Sequence, residues 1–527
     1  MDHALPRVTY SNVGTDFSAV FDRLAVELKK ASVAGGRSVS NLIGGHPDES
    51  GARYVASGPI DRAELGTFFE AGPAEVDRAV AAARAAFPGW AGAGWKVRVA
   101  AMRRVADLLA QYKYEVAADC IREVGKSFAE AMGEVEEAID LVRYYSDQME
   151  ANDGFYRPLA RAVPIEETSD VLRPYGVFAV IVPFNFPVAL GIGMLAGALL
   201  AGNSVVLKPS PLAGLTGSWL ARLCVEAGMP EGVVNLLCGG ASTGQALLEH
   251  PGVSGYAFIG SHAVGTHILR TVAAGAYNRP VIVEMGGKNP CYVTASADLD
   301  IAAEGVMRSA FGLQGQKCSS CSKVYVAREI YADFLDRLKQ RASAIRIGAP
   351  RDASIFMGPV INDAAGERYA AACAEAQRDG RILLGGKRLA GGDFDGGVYI
   401  EPTIVEGLSA AHRLNKDELF LPFLSVQSFD SLEQAIADGN DIAYGLTAGA
   451  YAQDPGELAF FLDRAEAGAL YANRASGATT GAWPGVQTFC GWKGSGVAGK
   501  GALGPYYVQQ FMREQSRTVM GSVAKAG

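Results

Sequence analysis

The chain has 527 residues, more than the roughly 250–300 at which one hydrophobic core stops growing, so two or more domains are expected. A hydrophobic fraction of 49%, a charged fraction of 20% and 64 glycines fit a soluble α/β enzyme and exclude a disordered or disulfide-framed chain. The formal net charge of −8, with no Lys/Arg run to offset it, repels polyanions and anionic surfaces, so no nucleic-acid and no membrane partner is expected.

The amino terminus, MDHALPRVTY, has neither a basic start before an apolar stretch nor an Arg/Ser-rich transit pattern, which makes a cytoplasmic protein the default. Residues before about 70 carry no signal for function. Residues 74–87, 97–117 and 128–149 have apolar positions at helical spacing. Short β-branched runs follow at 177–183, 204–208, 233–238, 256–260 and 281–285, separated by Gly- and Pro-marked turns and helical patterns. That alternation predicts a mostly parallel sheet covered by helices on both faces. The apolar stretch from Phe178 to Leu207 has Gly193 and Gly197 at helix-dimer spacing, but Pro183, Asn185, Pro187 and Asn203 divide it into strand, helix and strand.

A second α/β block spans about 282–495, with helical patterns at 331–345 and 431–439 and strands at 322–327 and 423–429. The tail, 512–523, reads as an exposed strand that needs a partner from another segment or another subunit. The eight cysteines are scattered, which argues for free thiols in a reducing compartment.

Cys318 follows a Gly- and Gln-rich turn, FGLQGQK, and precedes an apolar strand, so its thiol can be reachable with backbone amides aimed at what it attacks. With Cys321 it makes a CxxC pair, the pattern of a redox dithiol or half a zinc site; the other two zinc ligands at short spacing are missing from the sequence, and no metal is expected. Glu284 ends the apolar run VIVEMGG, where partial desolvation suits a carboxylate to general-base work; the plain reading is a strand-end acid paired with Lys288. Asn185 between two prolines reads equally as a turn residue. GGASTG (239–244) and GSHAVG (260–265) follow strand-like runs and resemble phosphate-facing turns, each weak alone.

Read together, PFNFP (183–187), KPSP (208–211), FIGSHAVG (258–265), VEMGGKNP (283–290), FGLQGQKC (311–318), DELFLPF (417–423) and the stretch 473–491 resemble the aldehyde dehydrogenase superfamily, from about residue 70 to the end. The resemblance implies an α/β fold with a Rossmann-type cofactor domain (1–160 and 174–281, with 496–511 returning to it), an α/β catalytic domain (282–495) and a small β oligomerisation element (161–173 and 512–527). It implies Cys318 as nucleophile, Asn185 as oxyanion donor and Glu284 as general base. It implies a dinucleotide held by Pro183, Phe184, Lys208, Pro209, Ser210, Gly240, Gly244, Phe258, Gly260, Ser261, Gly265, Met285, Gly286, Glu418 and Phe420. The family's NAD-preferring members carry an acid three residues after the lysine, a position held here by Pro211; NAD is the expected cofactor, with NADP also open.

Lys317 before the nucleophile, Ser319 after it and Cys321 in place of glycine make the segment similar to L-glutamate γ-semialdehyde (1-pyrroline-5-carboxylate) dehydrogenases. By that similarity Phe184, Lys317, Ser319 and Phe489 touch the aldehyde, while Gly481 and Ala482 offer amides to its α-carboxylate. Phe489-Cys490-Gly491 departs from the family's FGG, and Trp483, Pro484 and Trp492 are bulky additions that suit an aromatic or longer aliphatic aldehyde equally well. Two other classes stand beside the dehydrogenase: a cofactor-binding structural protein without catalysis, and a thiol–disulfide protein using Cys318 and Cys321. The resemblance also implies a homodimer or higher homo-oligomer.

Overall fold

Strands joined through crossover helices return in the same direction, so runs of this pattern pair in parallel. The computed structural model describes residues 5–10, 12, 15–33, 36–475, 480–497 and 500–521. The first sheet runs Val281–Glu284, Gly255–Ile259, Val177–Val182, Ser204–Pro209 and Val234–Leu236, all parallel. Asn41–Ile43 and His46–Asp48 extend its edge antiparallel. The direction of winding reverses between Val177–Val182 and Gly255–Ile259, and a crevice opens there at the carboxyl ends of the strands.

The helix Ala189–Ala201 is buried on every side, as its unbroken apolar sequence requires. Gly197 lets Phe511 close against it, so the Gly193/Gly197 spacing serves packing within the chain. Among the described residues no helix is long and apolar enough to cross a membrane. Pro73–Gly92 and Phe128–Ala151 supply two of the expected helices, the run 97–117 divides at Tyr112 into Trp95–Gln111 and Lys113–Val124, and the amino-terminal helix Ser18–Val33 packs on the second of these.

The second sheet runs Arg381–Leu384, Thr403–Glu406, Phe423–Phe429, Cys321–Ala327, Asn289–Val293, Thr447–Tyr451 and Ala469–Ala472, parallel except for its first strand. A third, antiparallel sheet joins Met512–Met520 along its full length to Glu166–Pro174, with Tyr156–Pro158 on the other side. The β element expected from 161 therefore starts earlier: its first strand is Tyr156–Pro158, an edge position where Pro158 costs no ladder hydrogen bond. Residues 498–499 and 522–527, parts of the returning segment and of the tail, lie outside the described residues.

Candidate active site

The crevice is a cleft of about 840 Å³, within the ordinary range for a ligand site. The turn after Val177–Val182 delivers Pro183, Phe184 and Asn185 to it; Lys208 and Ser210 come from the end of Ser204–Pro209. Gly240 and Gly244 begin one helix, Gly260 and Ser261 another, and Phe258, Met285, Gly286, Glu418 and Phe420 complete the wall. Glycine at 286 is what lets Glu418 approach, since a Cβ there would collide with its carboxylate. Phe420 holds a left-handed φ of 59° and meets Phe184 edge to face at 5.9 Å.

Two of the fifteen expected cofactor residues do not line the cleft. Pro209 is buried against Gly217, and Gly265 lies beneath the wall, where the lack of a Cβ makes room for Met285 and Phe258. Several amides are also already engaged. The Gly240 N–H donates to Glu70 Oε1 at 3.3 Å and Ser242 donates to the same oxygen at 3.0 Å, so a carboxylate occupies that helix start. Ser261 caps its own helix, accepting from the Val264 N–H at 3.4 Å.

Cys318 is half-buried at the cleft floor, set there by a strained turn in which Leu313 and Gln314 have φ of 49° and 56°. Its carbonyl accepts from Asn289 Nδ2 at 2.7 Å, and Asn289 also holds the Ser320 carbonyl at 2.9 Å. Asn185 Nδ2 donates to the Gln316 carbonyl at 3.0 Å, which brings that amide to the chain beside the thiol. Cys321 is fully buried in the core of the second sheet, on the strand that follows, while Cys318 lines the cleft. The two thiols of the CxxC pair thus serve different surroundings.

Burial raises the Cys318 thiol to about 12, with the charges of Glu418 and Glu284 adding to the effect. Burial also lifts Glu284 to about 7, offset in part by the Ala502 N–H that donates to its Oε1 at 3.2 Å. Glu284 lies behind the lining rather than in it, and its partner is that amide rather than Lys288. Glu418 is raised to about 7 by burial, eased by the Gly287 N–H at 3.0 Å and by Lys288. Lys208 is lowered to about 8 by burial, with Cys238 and Glu70 opposing the shift.

The expected substrate residues gather less tightly. Phe184 lines the cleft, but Lys317 turns away into an ion pair with Glu130 at 2.6 Å, and Ser319 lends its carbonyl to Thr447 at 3.3 Å. Phe489 packs on the first core and bonds through its N–H to Ala502 at 2.9 Å. The Ala482 N–H is taken by Thr480 Oγ1 at 3.0 Å, and the Arg474 guanidinium stands 3.1 Å from the place a Gly481 Cβ would occupy. Trp483 does not line the cleft; its indole N–H donates to Asp140 at 2.9 Å. Glu70 and Glu130 carry no signal in the sequence, because each acts through a contact far away in the chain; Asn289 and Arg474 stand inside the segments 283–290 and 473–491, but only the folded chain shows what they approach.

Glu375, Asp379 and His412 also converge. His412 Nδ1 accepts the Leu414 N–H at 3.2 Å, which leaves the proton on the Nε2 that faces Asp379 at 3.2 Å, and Arg413 and Arg378 pair the carboxylates. Two arginines supply the charge that a cation would bring.

The model of the aldehyde dehydrogenase family matches residues 47–517, and the chain belongs to that family. It is 33% identical over 515 residues to a 1-pyrroline-5-carboxylate dehydrogenase from Bacillus cytotoxicus, covering 96% of this chain and 98% of that one. Among solved structures, 1-pyrroline-5-carboxylate dehydrogenase from Thermus with bound NAD is similar with a TM-score of 0.92 and 32% identity, covering 98% of this chain and 99% of that one. Proline utilization A from Bdellovibrio bacteriovorus is similar with a TM-score of 0.90 and 33% identity over 95% of this chain, which spans about half (52%) of that longer protein.

Proposed function

We propose that the chain is an NAD-dependent aldehyde dehydrogenase whose substrate is L-glutamate γ-semialdehyde, in equilibrium with 1-pyrroline-5-carboxylate, and whose product is glutamate. The observation that carries the reading is a cleft-facing thiol, Cys318, at the carboxyl edge of a doubly wound sheet, with the Asn185 amide on the adjoining stretch of chain and the buried carboxylates Glu418 and Glu284 close by. The named relatives support the substrate, and the Arg474 guanidinium beside Gly481 supports an anion at that end of the site.

A dinucleotide fits the residues present. Glycines at 244, 260 and 286 admit close approach, Phe258, Val264 and Ile268 offer an apolar wall, and Lys208 and Glu418 stand ready for ribose hydroxyls. NAD would supply the hydride acceptor. Pro211 sets no acid against a 2′-phosphate, but the Glu70 carboxylate near Lys208 disfavours one.

Cys318 adds to the aldehyde carbon, and Asn185 with the Cys318 N–H holds the resulting oxyanion. Loss of hydride from that carbon leaves a thioester. Glu284, as carboxylate, takes a proton from water, the hydroxide adds to the thioester, and collapse releases the acid and the thiolate. Before the first step the thiol is protonated, held so by burial and by the charges of Glu418 and Glu284, and its proton passes to solvent as the C–S bond forms. Residues 1–160 and 174–281 with 496–511 form the cofactor domain in this reading, 282–495 the catalytic domain, and the third sheet the self-association element of a cytoplasmic homodimer or larger homo-oligomer.

Reduced-cofactor formation by the purified protein tests the reading. The semialdehyde mixture should exceed pentanal by roughly ten- to more than a hundredfold in kcat/KM, the worth of a lost charge-assisted hydrogen bond. Cys318→Ala should abolish turnover. Equal rates on the two aldehydes overturn the substrate, and turnover by the Ala variant overturns the mechanism.

A further inference from the structure

Residues ahead of the first helix reach loop 480–489 from outside. Tyr10 meets the Trp483 indole edge to face at 5.5 Å and 80°, and its hydroxyl donates to Glu137 Oε2 at 2.9 Å. The indole N–H, which is only a donor, ends on Asp140 Oδ2 at 2.9 Å. Arg7 binds the other Asp140 oxygen at 3.0 Å and Glu136 Oε2 at 2.8 Å. Glu136, Glu137 and Asp140 all lie on Phe128–Ala151, whose Gly133 makes room for the Tyr10 ring: a Cβ there would stand 2.8 Å from Cε1. A glycine in a helix interior weakens the helix, so the close seat of the arm is its structural return.

Trp483 is also the residue on which the loop turns. Its carbonyl accepts from the Val486 and Gln487 N–H groups at 2.9 and 3.2 Å, and Gly485, at φ +73°, donates to Leu503 at 3.0 Å. The far end of the loop runs through the Phe489 N–H to the Ala502 carbonyl, and the Ala502 N–H to Glu284.

We propose that Tyr10, Asp140 and Trp483 form a latch through which the amino-terminal arm holds loop 480–489, so that residues ahead of the first helix set substrate preference without touching the reacting atoms. This rests on the reading above that the loop receives the substrate carboxylate. Backbone amides bind an anion well only when already aimed, and a loop that must be ordered on binding spends part of the interaction on that ordering. A neutral aldehyde does not use the Gly481 N–H or the Arg474 guanidinium beside it. Tyr10 and Trp483 are therefore positioning residues for the charged substrate alone.

The test uses the full chain with Trp483→Phe, which keeps a ring and removes the N–H, and Tyr10→Phe, which removes the hydroxyl. Both variants should lower the semialdehyde-to-pentanal ratio of kcat/KM, by about tenfold for Trp483→Phe. The loss should appear in KM for the semialdehyde, with KM for NAD unchanged. Amide hydrogen exchange in residues 480–489 should quicken in both variants while residues 177–209 keep their rate. Unchanged exchange in the loop, or an equal loss on both aldehydes, overturns the latch. A parent enzyme without preference for the semialdehyde overturns the substrate reading instead, and loop exchange then decides the latch by itself.

Discussion

Glu284 and Cys318 share a difficulty: both must ionise in surroundings that oppose charge. Burial raises Glu284 from its ordinary 4.5 to about 7, so the carboxylate needed for thioester hydrolysis accumulates as pH passes through that value. Under acyl-enzyme hydrolysis control, the rate should climb between about pH 6 and 8 and level above, read from steady-state turnover across buffers. Glu284→Gln should give a burst of reduced cofactor followed by slow turnover, with a thioester mass on Cys318; equal slowing of both phases without the adduct would remove Glu284 from that role. The same shift governs stability. A folded-state pKa raised above the unfolded one favours the native state below 4.5, and that advantage is lost as pH rises to about 7. Gln at 284 should therefore raise the Tm relative to the parent at pH 8, with the difference shrinking toward pH 4.

At the scale of the element, Phe128–Ala151 organises the site from behind. Glu130 pairs with Lys317 beside the nucleophile, Glu134 serves Lys126 and the Val188 and Ala189 N–H groups at 2.7 and 3.1 Å, and Asp140 holds Trp483. Glu130 to Glu134 is a step of four, and Glu137, which accepts from Tyr10, lies three from Glu134 and three from Asp140, so these acids run down one side of the helix. Lys126 in turn lies 3.6 Å from the centre of the Phe186 ring, in the same turn as Asn185. Glu134→Ala should strand a fully buried ammonium and two helix-start amides, costing about 3–5 kcal/mol of stability in urea unfolding. A loss below 1 kcal/mol would mean that water or a neighbour replaces the carboxylate.

Across the whole molecule, the tail ties its own chain together before it meets any other. Met512–Met520 covers Glu166–Pro174 and presents its outer edge, with Ile165, Val519 and Met520 exposed nearby. An unpaired strand edge with apolar neighbours is an association surface. Light scattering should report a dimer or larger, and deletion of 512–527 should lower that mass; an unchanged oligomer would remove the sheet from this role.

Local pattern was enough to place the strands at 177–183 and 204–208, the helices from 74 to 149, and the turns that carry Asn185, Glu284 and Cys318, because period, turn chemistry and apolar runs are properties of neighbours in the chain. A mostly parallel sheet under helices and a second α/β block followed from the same alternation, while the order of the strands came only with the fold. Only the folded chain decided that Asn289 would grip the Cys318 carbonyl, that Glu70 would fill a helix start facing Lys208, and that Cys321 would leave the cleft for the core. It also decided that Tyr10, from a stretch without functional signal, would stand against Trp483, some 470 positions away. Hydrogen bonds and buried charges of this kind depend on which surfaces the packed layers bring together, and their energy comes from removing water between groups that no local spacing relates.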